Sequence, residues 1–335
     1  MVSFRVPVVL FLFRRSETLP RIVSVLRDAR VEKLYLICDQ GRNETEREQV
    51  GVVRRLIEKE IDWDCEVVKY YAEENRGVLR NIGDGARWVF QREEQAIFLE
   101  DDNLPEATFF PFCEEMLHRY KDDDRILWVC GSNYLGDAEA LGYNHSYFFS
   151  QMLLPCGWAS WAKKFNEFYD DRLAGLDDSA KVIDFRNSYD DNRLFAQENR
   201  SVLRTKSRIE NDIARASWDY QMVFSLRVNH MYGVVPSKNQ IRNIGVDAIS
   251  EHGGNTMKNV MTERFCENET LPLSFPLSHP SGLSVPFEDS LTSIILAPLH
   301  YRVRGSIGAL LKKALRMNEG ESFLLQLKKR LGMDR

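Results

Sequence analysis

The sequence predicts an α/β fold in which a mostly parallel sheet is flanked by helices and followed by a C-terminal helical appendage. Short apolar segments alternate with amphipathic helical patterns over the first 130 residues. The composition, with 44% hydrophobic and 28% charged residues, is that of a soluble globular protein. The length of 335 residues allows one large domain with an appendage, or two domains.

Five strands are predicted from short segments rich in Val, Ile, Leu and aromatic residues. These segments are apolar throughout, which is typical of parallel strands that helices cover on both faces. The predicted strands are Pro7–Phe13, Leu34–Cys38, Cys65–Tyr70, Ala96–Leu99 and Ile126–Cys130.

Helices are predicted between these strands from apolar residues spaced three and four apart. The first helix has Ser16 as its expected N-cap and Pro20 in its first turn. The three apolar stripes are Leu19, Ile22, Val23 and Leu26; Val50, Val53 and Ile57; and Ile82, Ala86, Val89 and Phe90. Ligands of such folds bind at the carboxyl ends of the strands, so residues that follow a strand are the functional candidates.

Charge and cysteine content restrict the class of protein and its compartment. The net charge of −5 argues against a nucleic-acid-binding protein. Residues 302–335 carry a balance of +6, which leaves −11 on the rest of the chain and indicates two separate tasks. The six cysteines form no CxxC pair, so a reducing cytoplasm is expected. The apolar run before Arg14 and Arg15 is interpreted as a first strand, because it is too short to span a bilayer and no cleavage site follows.

The most informative motif is a cluster of three carboxylates, Glu100, Asp101 and Asp102, directly after the apolar strand 96–99. Like-charge repulsion makes such a cluster costly at the end of a buried strand unless a cation is present. Hard divalent cations such as Mg²⁺ or Mn²⁺ prefer oxygen ligands and leave coordination positions open for substrate phosphates. The alternative is a solvated acidic turn.

This motif, Phe-Leu-Glu-Asp-Asp, resembles the metal-binding motif of nucleotide-sugar glycosyltransferases with the GT-A (Rossmann-like) fold. Its three-acid form is similar to that of the N-acetylglucosaminyltransferase I type. Further segments resemble the family 2-like inverting enzymes, in particular their bacterial members, in the same order and over about residues 5 to 258. These segments are Asn75–Asn81, Cys156–Trp161, Ser217–Gln221 and Asn243–Gly245, followed by His252.

The resemblance implies a division of the chain. Residues 1–260 would be the GT-A catalytic domain, with a nucleotide-sugar half at about 1–130 and an acceptor half at about 131–260. Residues 261–300 contain several prolines and are expected to form an extended connection. Residues 301–335 are expected to form basic amphipathic helices.

The resemblance also implies roles for the charged residues. Asp102 and His252 would bind Mn²⁺ or Mg²⁺, while Glu100 and Asp101 would contact the nucleotide sugar. A histidine beside two glycines is equally typical of a surface loop, so both interpretations of His252 stay open.

Asp219 is the candidate catalytic base. The sequence predicts Ser217 as the N-cap of a helix, which puts Asp219 in the first turn, where the helix dipole favours its ionised form. A carboxylate there can accept a proton from a sugar hydroxyl, and direct attack with one base would invert the anomeric centre. The alternative is that Asp219 only complements the dipole.

The remaining nucleotide-sugar candidates are Phe11 and Arg14 at the end of the first strand, Asp39 after the second, and Arg80. The guanidinium of Arg80 could bind a diphosphate, but a surface arginine on a helix is an equal alternative. Likewise, Asp39 before Gln-Gly is also a favourable turn residue.

Gly157 and Trp158 are the acceptor candidates, because indole rings stack on sugar faces and glycine permits close approach of the backbone. Trp161 follows three residues later, and core packing is the usual reason for such an aromatic pair.

The basic C-terminal segment favours an anionic membrane surface as a partner, which would suit a lipid-linked glycan acceptor at the inner face of the cytoplasmic membrane. Docking on the catalytic domain, or a dimer contact, is the alternative.

The expected function is a metal-dependent inverting glycosyltransferase of bacterial surface polysaccharide or lipopolysaccharide synthesis. It would move a sugar from a nucleotide-diphosphate sugar, with UDP-sugars favoured, to a glycan or lipid-linked glycan. The alternatives are a sugar-phosphate nucleotidyltransferase, disfavoured because no glycine-rich loop follows the first strand, and a degenerate transferase that binds glycans.

Overall fold

The computed structural model describes residues 4–213, 216–246 and 259–314. Its first half alternates strands and helices as the apolar pattern predicts. These elements are β1 (Val8–Leu12), α1 (Leu19–Asp28), β2 (Lys33–Cys38), α2 (Glu44–Glu60), β3 (Glu66–Tyr71), α3 (Gly77–Phe90), β4 (Gln95–Glu100), β5 (Asn103–Pro105), α4 (Phe109–Arg119) and β6 (Ile126–Cys130).

The second half is more helical. Its elements are β7 (Tyr147–Ser150), β8 (Trp158–Trp161), α5 (Ala162–Phe168), α6 (Ser179–Asn187), α7 (Asn192–Glu210), α8 (Tyr220–Val228), β9 (Tyr232–Pro236), β10 (Ile241–Asn243), α9 (Val260–Phe265), α10 (Val285–Ile295) and α11 (Leu299–Ala314).

Eight of the described strands form one sheet in the order β3-β2-β1-β4-β8-β6-β9-β7. The pairs among β3, β2, β1 and β4 are parallel, as is the pair β6–β9, while β8 and β7 run antiparallel to their neighbours. Successive residues of β1 alternate between two buried clusters, because strand side chains point to opposite faces. Helices cover both faces, and the predicted α/β fold with a mostly parallel sheet is confirmed.

A separate two-stranded ribbon pairs β5 with β10 in antiparallel register, with Asn103 opposite Asn243. The ribbon begins two residues after β4 ends. It therefore brings a segment from late in the chain against the turn that contains the carboxylates.

The start of α1 differs from the prediction. The helix begins at Leu19 with Thr18, not Ser16, in the N-cap position, although Pro20 lies in the first turn as expected. The hydroxyl of Thr18 donates instead to the backbone oxygen of Asp101. The side chain in the N-cap position thus holds the turn after β4 and does not cap α1.

The proline-rich segment 261–300 is not an extended connection. It contains α10, and it buries Leu273, Leu277, Phe287 and Leu291 in the two hydrophobic clusters of the central sheet. The ring of Phe287 stacks on that of Phe148 with centroids 4.2 Å apart. Prolines break regular structure locally, but the apolar residues between them still find a hydrophobic surface to cover.

The described part of α11 is the first of the predicted C-terminal helices; residues 315–335 lie outside the described residues. No helix in the described ranges is long and apolar enough to cross a membrane.

Candidate active site

A cleft of about 660 Å³ lies at the carboxyl ends of β1, β2 and β4, bounded on its other side by α7 and α8. Its lining includes Phe11, Asp39, Asp219 and the whole carboxylate cluster, residues 100–102. The cleft thus lies at the sheet edge where the alternating pattern predicted a ligand site.

The carboxylate cluster is held by the turn between β4 and β5. Glu100 ends β4 opposite Phe11 of β1, and the Oδ2 atom of Asp101 accepts from the backbone N–H of Phe13 at 2.8 Å. The Oδ1 atom of Asp102 accepts from Asn103 Nδ2 at 2.7 Å. These bonds hold the three carboxylates along one wall of the cleft, named here the carboxylate edge.

Arg15 supplies positive charge to the carboxylate edge, and the sequence analysis did not select it. Its Nη1 atom lies 3.0 Å from Asp102 Oδ2 and 3.5 Å from Asp101 Oδ1. The neighbouring Arg14, which was selected, does not line the cleft; it pairs with Glu46 at 2.7 Å and lies over the ring of Phe13. The two adjacent arginines point to different partners, which their sequence context does not distinguish.

Within the described part of the chain, the Arg15 guanidinium alone does not balance the charge of this wall. Burial, followed by the charges of Asp102, Asp101 and Asp219, raises the pKa of Glu100 well above its ordinary value. Burial and the charge of Asp102 also raise the pKa of Asp101, against the opposing effect of Arg15. The edge therefore favours additional positive charge, whether as protons or as a bound cation.

The donor chemistry of the edge fits a hard divalent cation. Among the described residues, no group of three or more His, Cys, Asp or Glu side chains is arranged to hold a metal ion. Such a group is not required in a nucleotide site, where Mg²⁺ takes one or two carboxylates and completes its coordination with substrate phosphates and water. Asp102 meets that requirement, while His252, the second predicted ligand, lies outside the described residues.

Asp219 faces the carboxylate edge from the opposite wall. It occupies the N-cap position of α8, and not the first turn, so the prediction of Ser217 as the N-cap is wrong. The Ser217 hydroxyl donates instead to Asp219 Oδ1. Asp219 also lies close enough to Glu100 for its charge to raise the pKa of that residue. Among the described residues, no group donates a hydrogen bond to the second oxygen of Asp219.

Asp39 lines the cleft, but its carboxylate mainly holds the loop before α3. It accepts from the backbone N–H groups of Arg76 at 2.8 Å and Gly77 at 3.0 Å, and from Asn75 Nδ2 at 3.1 Å. Gly77 has φ +74°, a conformation that favours glycine. The loop therefore depends on Gly77 for its backbone conformation and on Asp39 for its hydrogen bonds. Arg80 lies outside the cleft lining, on the exposed side of α3, where it pairs with Asp212.

Trp158 and Gly157 lie behind the cleft and do not line it. Trp158 is 1% exposed, and its ring stacks between those of Phe98, at 3.9 Å, and Trp128, at 4.1 Å. Gly157 has φ +61°, and a Cβ there would meet the Ile241 side chain at 2.5 Å. Core packing therefore explains this motif, and neither residue offers a surface to an acceptor.

The wall of the cleft opposite the carboxylate edge is formed by α7 and α8. Gln197, Glu198, Ser201, Arg204 and Arg208 follow one another along α7 and line the cleft opposite the carboxylate edge. Sequence analysis missed this wall because α7 lies in a polar stretch without a motif. The available signal was the spacing of three and four between its polar residues Glu198, Ser201, Arg204 and Arg208, which places them on one side of the helix.

No protein-family model and no curated protein matches the chain. Solved structures of nucleotide-sugar enzymes resemble it at low identity. A mannosyltransferase from Pyrobaculum calidifontis, in complex with GDP-Man and Mn²⁺, is 12% identical over 68% of this chain and 70% of its own, with a TM-score of 0.38. HddC from Yersinia pseudotuberculosis, complexed with GMP-PN, is 14% identical over 50% of this chain and 81% of its own, at 0.33. A UDP-glucose pyrophosphorylase is 7% identical over 72% of this chain and 93% of its own, with a TM-score of 0.35. Likenesses this distant say nothing about function, which has to come from the residues of the cleft.

Proposed function

We propose that the protein is a metal-dependent inverting glycosyltransferase that uses a nucleoside-diphosphate sugar. One observation carries the proposal: the carboxylate edge faces Asp219 across a cleft at the carboxyl ends of β1, β2 and β4. A donor bound by its diphosphate at that edge would present its sugar to the opposite wall. The candidate base lies on that wall.

Asp219 is the group that removes the acceptor proton. Ser217 occupies Oδ1 through a hydrogen bond, which orients the carboxylate and leaves Oδ2 to accept the proton. As the acceptor oxygen forms its bond to the anomeric carbon, the bond from that carbon to the diphosphate oxygen breaks, and the electron pair leaves with the diphosphate. Attack from the side opposite the leaving group inverts the anomeric centre.

The donor side is built from the ends of β1, β2 and β4. Phe11 lines the cleft with only 3% of its surface exposed, while Asp39 holds the loop that starts α3 in position. Asp102 would hold the divalent cation, which when bound would neutralise negative charge on the departing diphosphate.

The acceptor side is the wall of α7 and α8. Ser201 and Glu198 present hydrogen-bonding groups beside Tyr220, and the Tyr220 ring offers a face on which a sugar could stack. This combination of a hydroxyl, a carboxylate and an aromatic ring is typical of carbohydrate recognition. Trp158, the sequence-based candidate, is replaced in this role by residues of α7 and α8.

The test is a thermal-shift panel of UDP-, GDP-, dTDP- and CMP-sugars, each with and without Mn²⁺. A ligand that binds only the folded protein raises the melting temperature. We expect one nucleotide to stabilise the protein selectively, with UDP favoured, and more strongly when Mn²⁺ is present. Failure of every nucleotide sugar to change the melting temperature would refute the proposal.

We further propose that α11 docks on an anionic membrane surface. Leu299, Val303, Ile307 and Leu311 repeat every four residues and, with Leu310, are 45 to 68% exposed. Such a stripe is apolar surface that the rest of the described chain leaves uncovered. The balance of +6 over residues 302–335 complements anionic lipid headgroups. An acceptor anchored in the same membrane would then meet the cleft.

Co-sedimentation with phosphatidylglycerol vesicles tests this docking. Val303→Glu combined with Ile307→Glu should reduce the bound fraction strongly, because two charges replace apolar contacts. Ile183→Glu is the matched control, since Ile183 is 59% exposed on α6, away from this stripe. Equal sedimentation of the double variant and the wild type would refute membrane docking and leave the catalytic proposal untouched.

A further inference from the structure

Arg15 holds the oxygen that a cation on the carboxylate edge would need. Its Nη1 atom lies 3.0 Å from Asp102 Oδ2, and its Nη2 atom donates to the backbone oxygen of Gly245 at 3.1 Å. The Arg15 side chain is 13% exposed and that of Asp102 is 15% exposed, so solvent screens this pair only in part. The ion pair is therefore a substantial interaction of the nucleotide-free protein.

The segment after β10 closes around the same carboxylate. The backbone N–H of Ile244 donates to the backbone oxygen of Asp102 at 2.8 Å. Gly245 packs so closely that a Cβ on it would lie 2.3 Å from Asp102 Oδ2. Arg15 thus connects three parts of the site: the loop after β1, the carboxylate edge and the segment 243–245.

We propose that Arg15 is a positioning residue that serves as the counter-cation of Asp102 in the nucleotide-free protein and competes with the divalent cation for that carboxylate. The proposal rests on the metal role assigned to Asp102 under Proposed function. A guanidinium and a divalent cation repel each other, so each weakens the binding of the other at Oδ2. Binding of the nucleotide with its cation would therefore move Arg15 away from Asp102.

Two consequences follow from this competition. The protein should bind a divalent cation weakly by itself and more tightly together with a nucleotide diphosphate, whose phosphate oxygens offer the displaced guanidinium new acceptors. The bond from Arg15 to Gly245 should break in the same step. Occupation of the donor site is thereby coupled to the segment after β10.

The competition is measured by titrating nucleotide-free, full-length protein with Mn²⁺ and following the free ion by electron paramagnetic resonance. Arg15→Gln removes the positive charge but keeps a hydrogen-bond donor, and we expect it to bind Mn²⁺ about tenfold more tightly than the wild type. Arg15→Lys keeps the charge and should stay within about threefold of the wild type. Arg14→Gln is the matched control, because Arg14 pairs with Glu46 and should leave Mn²⁺ affinity unchanged.

Several outcomes would overturn the proposal. Equal or weaker Mn²⁺ binding by Arg15→Gln would mean that Arg15 only orients Asp102. An equal gain in Arg15→Lys would show that charge is not the cause, and this variant also decides the question if Arg15→Gln does not fold. If neither the wild type nor Arg15→Gln binds Mn²⁺, both the role of Arg15 as counter-cation and the metal role of Asp102 are refuted. An increase in melting temperature with UDP or GDP in the same proteins would still support nucleotide binding.

Discussion

Asn103 joins the carboxylate edge to the core, and removing its side chain should destabilise the whole protein. It is 1% exposed. Its Oδ1 atom accepts from the backbone N–H of Gly157 at 2.9 Å and, more weakly, from that of Glu100 at 3.4 Å. Its Nδ2 atom donates to Asp102 Oδ1 at 2.7 Å. The substitution Asn103→Ala removes these bonds together.

The expected loss is about 3 kcal/mol. The N–H of Gly157 is buried and would be left without its acceptor, which costs about 2 kcal/mol. Asp102 loses one charge-assisted bond but keeps Arg15 and some contact with water, so its share is about 1 kcal/mol. With an unfolding entropy of about 2.1 cal/mol/K per residue over 335 residues, this corresponds to a decrease of about 4 °C in melting temperature.

The assay is thermal unfolding followed by circular dichroism, at neutral pH and without ligand. Asn187→Ala is the control, because Asn187 is exposed at the end of α6 and should melt within about 1 °C of the wild type. If Asn103→Ala also melts within about 1 °C of the wild type, the bonds from Asn103 do not hold the turn. The account of how the carboxylates are positioned would then be wrong.

Three further predictions concern Asp219 in the cleft and two residues outside its lining, Glu46 and Trp158. Asp219→Asn should lower sugar transfer by at least about 100-fold in a radiolabel assay while nucleotide stabilisation is kept, since only the proton acceptor is lost; equal activity would exclude Asp219 as the base. Hydrogen bonds from Arg42 lower the pKa of Glu46 to about 2, so this carboxylate stabilises the fold above about pH 4.5 and stops doing so as the pH falls towards 2. Urea unfolding should accordingly show Glu46→Gln less stable by up to about 3 kcal/mol at pH 7, with the difference shrinking between pH 4.5 and 2; a difference independent of pH would contradict this. Trp158→Ala should cost about 3–5 kcal/mol in the same measurement, because it leaves a cavity between Phe98 and Trp128, whereas a small loss would return Trp158 to the candidates for ligand contact.

The composition and pattern of the chain were sufficient for five of the eight strands of the sheet and for one edge of the cleft. Apolar runs such as Ile126–Cys130 predict buried strands. Successive residues of a strand point to opposite faces of the sheet, and because helices cover both faces, every residue of the run is buried. Glu100, Asp101 and Asp102 follow such a run directly, so their position at the sheet edge depends only on where the strand ends. The apolar runs and the position of the carboxylates both depend only on residues that are neighbours in the sequence.

Three further candidates from the sequence lie in the cleft. Phe11, Asp39 and Asp219 line the cleft as the motifs indicated, and their functions stay predictions. Asp39 also has a structural role, because its carboxylate accepts hydrogen bonds from Asn75 and Gly77 in the loop before α3. The preference of Asp for turns had already indicated such a role.

The proline-rich segment shows the limit of composition. Prolines between 271 and 286 predict interrupted secondary structure, and most of this stretch indeed forms no helix or strand. Whether such a stretch lies free or packs depends on an apolar surface elsewhere, here the one that contains Phe148, which Phe287 covers. That surface is made by β7, far away in sequence.

Tertiary structure alone decided which side chains meet in the cleft. Arg14 and Arg15 are adjacent and chemically identical, yet only Arg15 reaches Asp102, 87 positions away along the chain. Trp158 is compatible with either a sugar-binding wall or a core, and its stacking on Phe98 and Trp128 places it in the core. Helix α7 has no motif at all, and it becomes a wall of the site because it packs opposite the carboxylate edge. The sequence by itself determined five strands, the first three helices and the place where the strand before the carboxylates ends, because those depend on neighbouring residues. The partners of each side chain depend on contacts between distant segments, which exist only after the chain has folded.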